Sequence, residues 1–106
     1  VVLGETLVYR ASFGGGIARA DVWLPRKGAV TRLLGTSSLL VRYRHDAAGT
    51  AFADEDLDQD LYAAYGGAFP IMADGARLLG SITTSGAEDH IDHEIAVEAV
   101  RSFLGR

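Results

Sequence analysis

Five side chains with the means to do chemistry, Glu88, Asp89, His90, Asp92 and His93, fall within six positions near the C-terminus. They open a stretch with the pattern of an amphipathic helix, and helical geometry sorts them. At about 100° per residue, Ile95, Ala96, Ala99, Val100 and Phe103 share one face, while Glu94, Glu98, Arg101 and His90 lie on the opposite one. Asp92 projects on the side of Ala99 and Phe103, and His93 beside Val100, so two titratable groups point inward. Buried polar groups need partners, and the pair is therefore structural or functional. An inward histidine beside a carboxylate can shuttle protons or bind a ligand; it can equally be a core histidine bonded to loop carbonyls. His90 and His93 have the i, i+3 separation of a helical metal site. Against that stand the solvent-facing position of His90 and the rarity of a full ligand shell on one helix. Glu88, Asp89 and Asp92 complement the helix dipole; they would repel phosphate, so a cation suits this end better.

Further candidates lie upstream. Arg26 and Lys27 could meet an anionic ligand, or pair with the acidic segment in which Asp54, Glu55, Asp56, Asp58 and Asp60 fall within seven residues. That segment lacks the central glycine of a calcium-binding EF-hand loop, which favours a solvated loop or helix end. Gly66-Gly67, ahead of Phe69-Pro70, marks a place where backbone closely approaches a ligand or another subunit. Phe13-Gly14-Gly15-Gly16 has no Lys or Ser/Thr to make a P-loop and reads as a connection. Ser37, Ser38 and Ser85 have no companion motif for nucleophilic catalysis.

The elements that must position these groups follow from periodicity and turn chemistry. Strands over 68–73 and 76–84 flank Asp74-Gly75, a two-residue hairpin turn. Ser85, with Glu88 three residues on, predicts a capping box opening a helix over 86–104. A second hairpin joins residues 1–3 and 6–11 across Gly4-Glu5. A helix over 21–34 is expected from Asp21 as cap, with Pro25 in its first turn and Gly35 just past its end. Thr36-Ser37 can cap another helix carrying Leu39, Leu40 and Tyr43 and ending near Gly49, although residues 39–43 are also compatible with a strand.

Composition bounds the rest. The 106 residues, 48% hydrophobic and 23% charged, describe a single globular domain over 1–106. A net charge of −4 leaves no basic stripe for nucleic acid. No apolar run reaches the roughly 20 residues that span a bilayer, and no segment reads as a secretory signal. The sequence has no cysteine, which fits a reducing, cytoplasmic setting. It opens on Val1-Val2-Leu3, already strand-like, and this predicts that an element upstream is missing.

Three stretches taken together, GGAFPI from Gly66, GSITTSG from Gly80 and DHEIAVEAV from Asp92, resemble the GlcG/HbpS-like family, often labelled haem-degrading. Trp23-x-x-Arg26-Lys27 and Gly35-x-Ser37-Ser38 extend the likeness to its uncharacterised branch. The resemblance covers nearly the whole chain. It implies an α+β, profilin-like fold, an antiparallel sheet with helices on both sides, preceded by an N-terminal helix absent here. It also implies self-association into dimers or larger rings, with Trp23, Tyr43 and Tyr65 available between subunits. Some relatives bind haem or iron and degrade haem, some accompany cobalamin or glycolate metabolism, and many have no assigned activity. Two departures remove polar groups: Tyr65 stands where the branch has a histidine, and Ala29 where it has an asparagine. Two readings follow. One is a haem- or iron-handling protein with His93, Asp92, Lys27, Gly66 and Gly67 at its pocket and His90 with His93 as metal ligands. The other is a non-enzymatic oligomeric binding or scaffold module that keeps the fold without the site.

Overall fold

The computed structural model describes residues 1–11, 17–74 and 76–105. Two short strands, β1 (Val2–Leu3) and β2 (Thr6–Leu7), are followed by helices α1 (Ile17–Leu34) and α2 (Ser38–Ala48), a single 3₁₀ turn (Phe52–Asp54), strands β3 (Ala68–Ala73) and β4 (Arg77–Thr83), and helix α3 (Asp89–Gly105). The sheet is antiparallel throughout, in the order β2-β1-β4-β3. The expected α+β architecture is present.

The expected β3–β4 hairpin forms, with Ala68 opposite Thr83, Ala73 opposite Arg77 and an irregularity between Ile71 and Met72; three residues separate the paired positions, one more than the expected two-residue turn. Asp74 takes a left-handed conformation, φ 54°, which Asp tolerates in tight turns; Gly75 lies outside the described residues. So does the Phe13-Gly14-Gly15-Gly16 segment. The first hairpin turns at Gly4, φ 60°, but β2 ends at Leu7 and does not run to residue 11. Beyond Leu7 the backbone is held by the Val1 carbonyl, which accepts from Val8 N at 2.9 Å.

Two expected helix caps are corrected. Asp21 is inside α1, which starts at Ile17 and contains Pro25 in its interior. The preceding Ala and Arg residues are good helix formers, so nothing forces a start at Asp21; its carboxylate pairs with Arg10. Ser85 does not cap α3. Gly86 has φ 128°, outside any helix, and the first turn begins at Asp89, where Asp92 N donates to Glu88 O at 2.9 Å. Ser37 does cap α2: its Oγ accepts from Leu40 N at 3.1 Å, and Gly49 closes the helix in the left-handed region.

α1 and α3 lie on opposite faces of the sheet. Ser81 and Thr83 crowd Gly28 of α1, whereas Phe69, paired with the alternate residue Ile82, packs its ring against His93 of α3; successive strand residues point to opposite faces. The apolar core gathers Val30, Val41 and Ala64 with Phe52 and Tyr62 packed on it. Among the described residues the buried apolar ones are Ala, Val and Leu, with no aromatic, so the core they form is thin. α3 shows the consequence. Of its expected inner face, Ala96 is buried and Val100 half-buried, while Ile95, Ala99 and Phe103 are exposed.

Candidate functional site

Lys27 is the single lysine of the sequence, and it is 3% exposed. On α1 it shares a ridge with buried Val30 and Thr31, at i+3 and i+4. Its ammonium donates to Gly66 O at 2.9 Å and to Thr84 O at 2.7 Å, and it stands 3.5 Å from Asp92 Oδ2. Of the three N–H donors of an ammonium, two are taken by backbone carbonyls, and the carboxylate of Asp92 balances the charge as an ion pair. Asp92, 4% exposed, also accepts from Ala87 N at 3.2 Å. Thr84 completes the group: its Oγ1 donates to Asp92 O at 2.7 Å and its N–H to Gly67 O at 2.9 Å.

The two glycines make this arrangement sterically possible. Gly67 has φ 133°, and a Cβ there would run into Thr84 O and come within 2.7 Å of Lys27 Nζ and 3.1 Å of Asp92 Cβ. A Cβ on Gly66 would collide with the Asp89 backbone. What the chain approaches closely here is therefore the start of α3 and the lysine ammonium. Without side chains at the entrance to β3, Lys27 reaches past the end of the sheet from the α1 layer to the α3 layer. Burial pushes the Lys27 amine below its ordinary 10.5, and the neighbouring Asp92 carboxylate opposes that shift.

The structure thus brings together four of the expected pocket residues, Lys27, Gly66, Gly67 and Asp92. The role of Thr84 was not legible in sequence, because it acts mainly through backbone groups. His93 stands apart from the ammonium's partners. Its half-buried ring meets the ring of Phe69 with centroids 6.0 Å apart, and its buried Nδ1 has no hydrogen-bond partner. The alternative of a histidine with both nitrogens bonded to carbonyls is not realised. His90 is exposed, its Nδ1 3.8 Å from Glu88 Oε2. Among the described residues, no group of three His, Cys, Asp or Glu side chains is placed to hold a metal ion.

Beside this knot an open groove of about 390 Å³ runs between α2 and the start of α3, lined by Leu39, Arg42, Tyr43, Glu88, Asp89 and His90. Arg42 bridges it by an ion pair with Asp89. The Arg42 guanidinium also lies 5.6 Å from the Tyr65 ring, Tyr65 meets Trp23 edge-on at 5.3 Å, and Arg26 covers Trp23 at 4.6 Å. Tyr65 therefore links α1 to α2 by aromatic and cation–π contacts. Arg26 donates to the Gln59 carbonyl at the end of the acidic segment.

A haem would need an apolar slot and an axial ligand. The groove is shallow and rimmed by charges, and Lys27 and Asp92 are engaged with protein partners. Of the residues expected at the pocket, His93 retains a buried side-chain nitrogen without a partner among the described residues. This groove lacks the apolar walls of a porphyrin slot. No helix among the described residues is long and apolar enough to cross a membrane.

Comparison with known proteins agrees with the fold and the motifs. The chain is 40% identical to a UPF0303 protein of Streptomyces avermitilis over 104 residues, 97% of this chain and 64% of that protein. A UPF0303 protein of Burkholderia orbicola is likewise 40% identical over 106 residues, covering 99% of this chain and 64% of the relative. The chain thus spans just under two-thirds of the length of these curated relatives. Its structure is similar to the crystal structure of Ybr137w protein, with a TM-score of 0.74 at 28% identity, over 86% of this chain and 53% of the other. A family profile described as haem degrading protein HbpS-like matches residues 1–101, and the chain belongs to that HbpS-like family.

Proposed function

We propose that this chain is a non-enzymatic, self-associating binding module of the HbpS-like family, acting in the cytoplasm, in which the Lys27–Asp92 pair is a structural clamp. The observation that carries this reading is the enclosure of Lys27. Its ammonium donates to Gly66 O and Thr84 O and is ion-paired with the buried Asp92, so both charges of the pair are engaged within the protein. A buried lysine with a lowered pKa is also the mark of a catalytic amine, but such an amine must open onto a cavity, and this one is enclosed by backbone. The thin core and the apolar side chains left at the surface, among them Leu7, Tyr43, Ile95 and Phe103, support self-association.

One observation favours the haem- or iron-handling reading: the buried, unpartnered Nδ1 of His93 beside Phe69. In that reading His93 is the ligand, completed by residues from elsewhere in an assembly. Haem titrated into wild type and His93→Ala, followed by the Soret band, separates the two. The module reading predicts the same weak, non-saturating spectra for both proteins. A saturable one-to-one change lost in His93→Ala would replace it with the haem reading.

A further inference from the structure

We propose that Thr50 is a site of covalent modification, its hydroxyl primed by His45 and Glu55 to take an acyl group from an activated donor such as an acyl phosphate. The site uses none of the clamp residues. It goes beyond the module reading and leaves it intact, because the reaction stops after one event on each chain.

Local turns build the cluster, one member every five residues. His45 stands in the last turn of α2. Gly49, φ 70°, reverses the backbone, and Thr50 N donates to His45 O at 3.0 Å. This brings Thr50 Oγ1 to 2.7 Å from His45 Nδ1. The Asp54 carboxylate accepts from Ala51 N at 2.9 Å and closes the 3₁₀ turn, which sets Glu55 Oε1 3.1 Å from His45 Nε2. Phe52, packed on the core, meets the imidazole edge-on with centroids 6.0 Å apart and holds its plane.

The partners fix the tautomer of the ring. A carboxylate only accepts, so Nε2 carries the proton toward Glu55, and Nδ1 presents its lone pair to the Thr50 hydroxyl, which donates. Hydroxyl, base and orienting carboxylate thus stand in the order that activates a nucleophile. Thr50 is exposed, whereas the His45 side chain is only 15% exposed, so a donor reaches the hydroxyl before the ring. Thr50 Oγ1 then bonds to the acyl carbon while its proton passes to His45 Nδ1. The bond to the leaving group breaks, the leaving group takes the electron pair, and His45 returns the proton to water.

The geometry also says why the chain stays acylated. The backbone N–H groups beside the hydroxyl, those of Gly49, Thr50 and Ala51, are bonded to Asp46 O, His45 O and Asp54 Oδ2, so none of them makes an oxyanion hole. A phosphate or an aryl oxide leaves without that help, and the alkoxide of Thr50 does not. Competing acceptors are few: the sequence has no cysteine, and its one lysine, Lys27, is 3% exposed.

Acetylation by 4-nitrophenyl acetate, followed over time by peptide mass mapping, tests the proposal. Thr50 should gain one acetyl group. Its labelling rate should fall about tenfold or more in His45→Gln, and about threefold or more in Glu55→Gln, which keeps an acceptor oxygen and loses the charge. Thr50→Ser keeps the hydroxyl and should still be labelled at that position. Circular dichroism checks that each variant is folded. Wild type unfolded in urea should label Thr50 no faster than folded His45→Gln, because the folded geometry primes the hydroxyl. A Thr50 left bare while the Val1 amine or the tyrosines are acetylated overturns the proposal, as does a Thr50 rate unchanged in His45→Gln or in urea.

Discussion

Replacing Lys27 by Met keeps an apolar stem of similar length and removes the ammonium. Gly66 O and Thr84 O lose their donor, and the Asp92 carboxylate, 4% exposed, is left facing a thioether. Breaking one partner of a buried pair costs about 3–5 kcal/mol, whereas an exposed pair such as Glu98–Arg101 contributes about 0–1 kcal/mol. A domain of this size holds only about 5–15 kcal/mol in total. Lys27→Met should therefore lose a fifth or more of the stability and lower Tm by more than about 12 °C, at about 4–8 °C per kcal/mol. Asp92→Leu alone should cost a similar amount, because it strands the ammonium and frees Ala87 N. The double variant removes both charges together, so its cost should fall short of the sum by about 2 kcal/mol or more. Urea unfolding followed by far-ultraviolet circular dichroism measures all three. A Lys27→Met cost below about 1 kcal/mol, or a double variant that adds simply, would refute the clamp.

Other outcomes follow from the same geometry. Gly67→Ala must place a Cβ against Thr84 O and Lys27 Nζ at φ 133° and should cost about 3 kcal/mol in the same unfolding assay. Ser37→Ala removes the α2 cap and should cost about 1 kcal/mol, visible as a shifted urea midpoint at unchanged slope. The Lys27 amine should titrate below 10.5 in an NMR experiment on ε-¹³C-lysine. The sign then follows: between the folded and the higher unfolded pKa the unfolded chain binds more protons, so this group's contribution to stability rises with pH there and is lost as pH falls through the folded value. Lys27→Met should remove that alkaline rise. Arg42→Ala breaks a partly exposed pair with Asp89 and should cost about 1 kcal/mol or less, read by thermal melting.

Sequence periodicity was sufficient for the β3–β4 hairpin, for α2 and for the inward placement of Asp92, because each is fixed by local turn chemistry or by helical angle. Local signals failed where a longer-range partner decided the outcome. Ser85 has the spacing of a capping box, but Gly86 takes a positive φ and Thr84 is drawn into the Lys27 cluster, so the helix starts later. Ile95 and Phe103 have the pattern of a buried face, yet whether a face is buried depends on what lies against it, and here little does. The candidate site was legible in its members and not in its meaning. Lys27, Asp92, Gly66 and Gly67 do meet, but a glycine pair signals only close approach. That the approaching group is the chain's own lysine, held partly by backbone carbonyls, is a tertiary fact no motif encodes.

The central claim is that Lys27 and Asp92 hold the fold together and bind no ligand. Because Lys27 is the only lysine, ε-¹³C-lysine labelling yields one side-chain signal at the centre of the clamp, and gallium(III) protoporphyrin or gallium(III), diamagnetic stand-ins for haemin and ferric iron, can be titrated against it. The clamp predicts a resonance that keeps its position and width through one molar equivalent. A saturable, stoichiometric shift or broadening of the Lys27 signal would contradict it, placing the ligand where the structure places Gly66, Thr84 and Asp92.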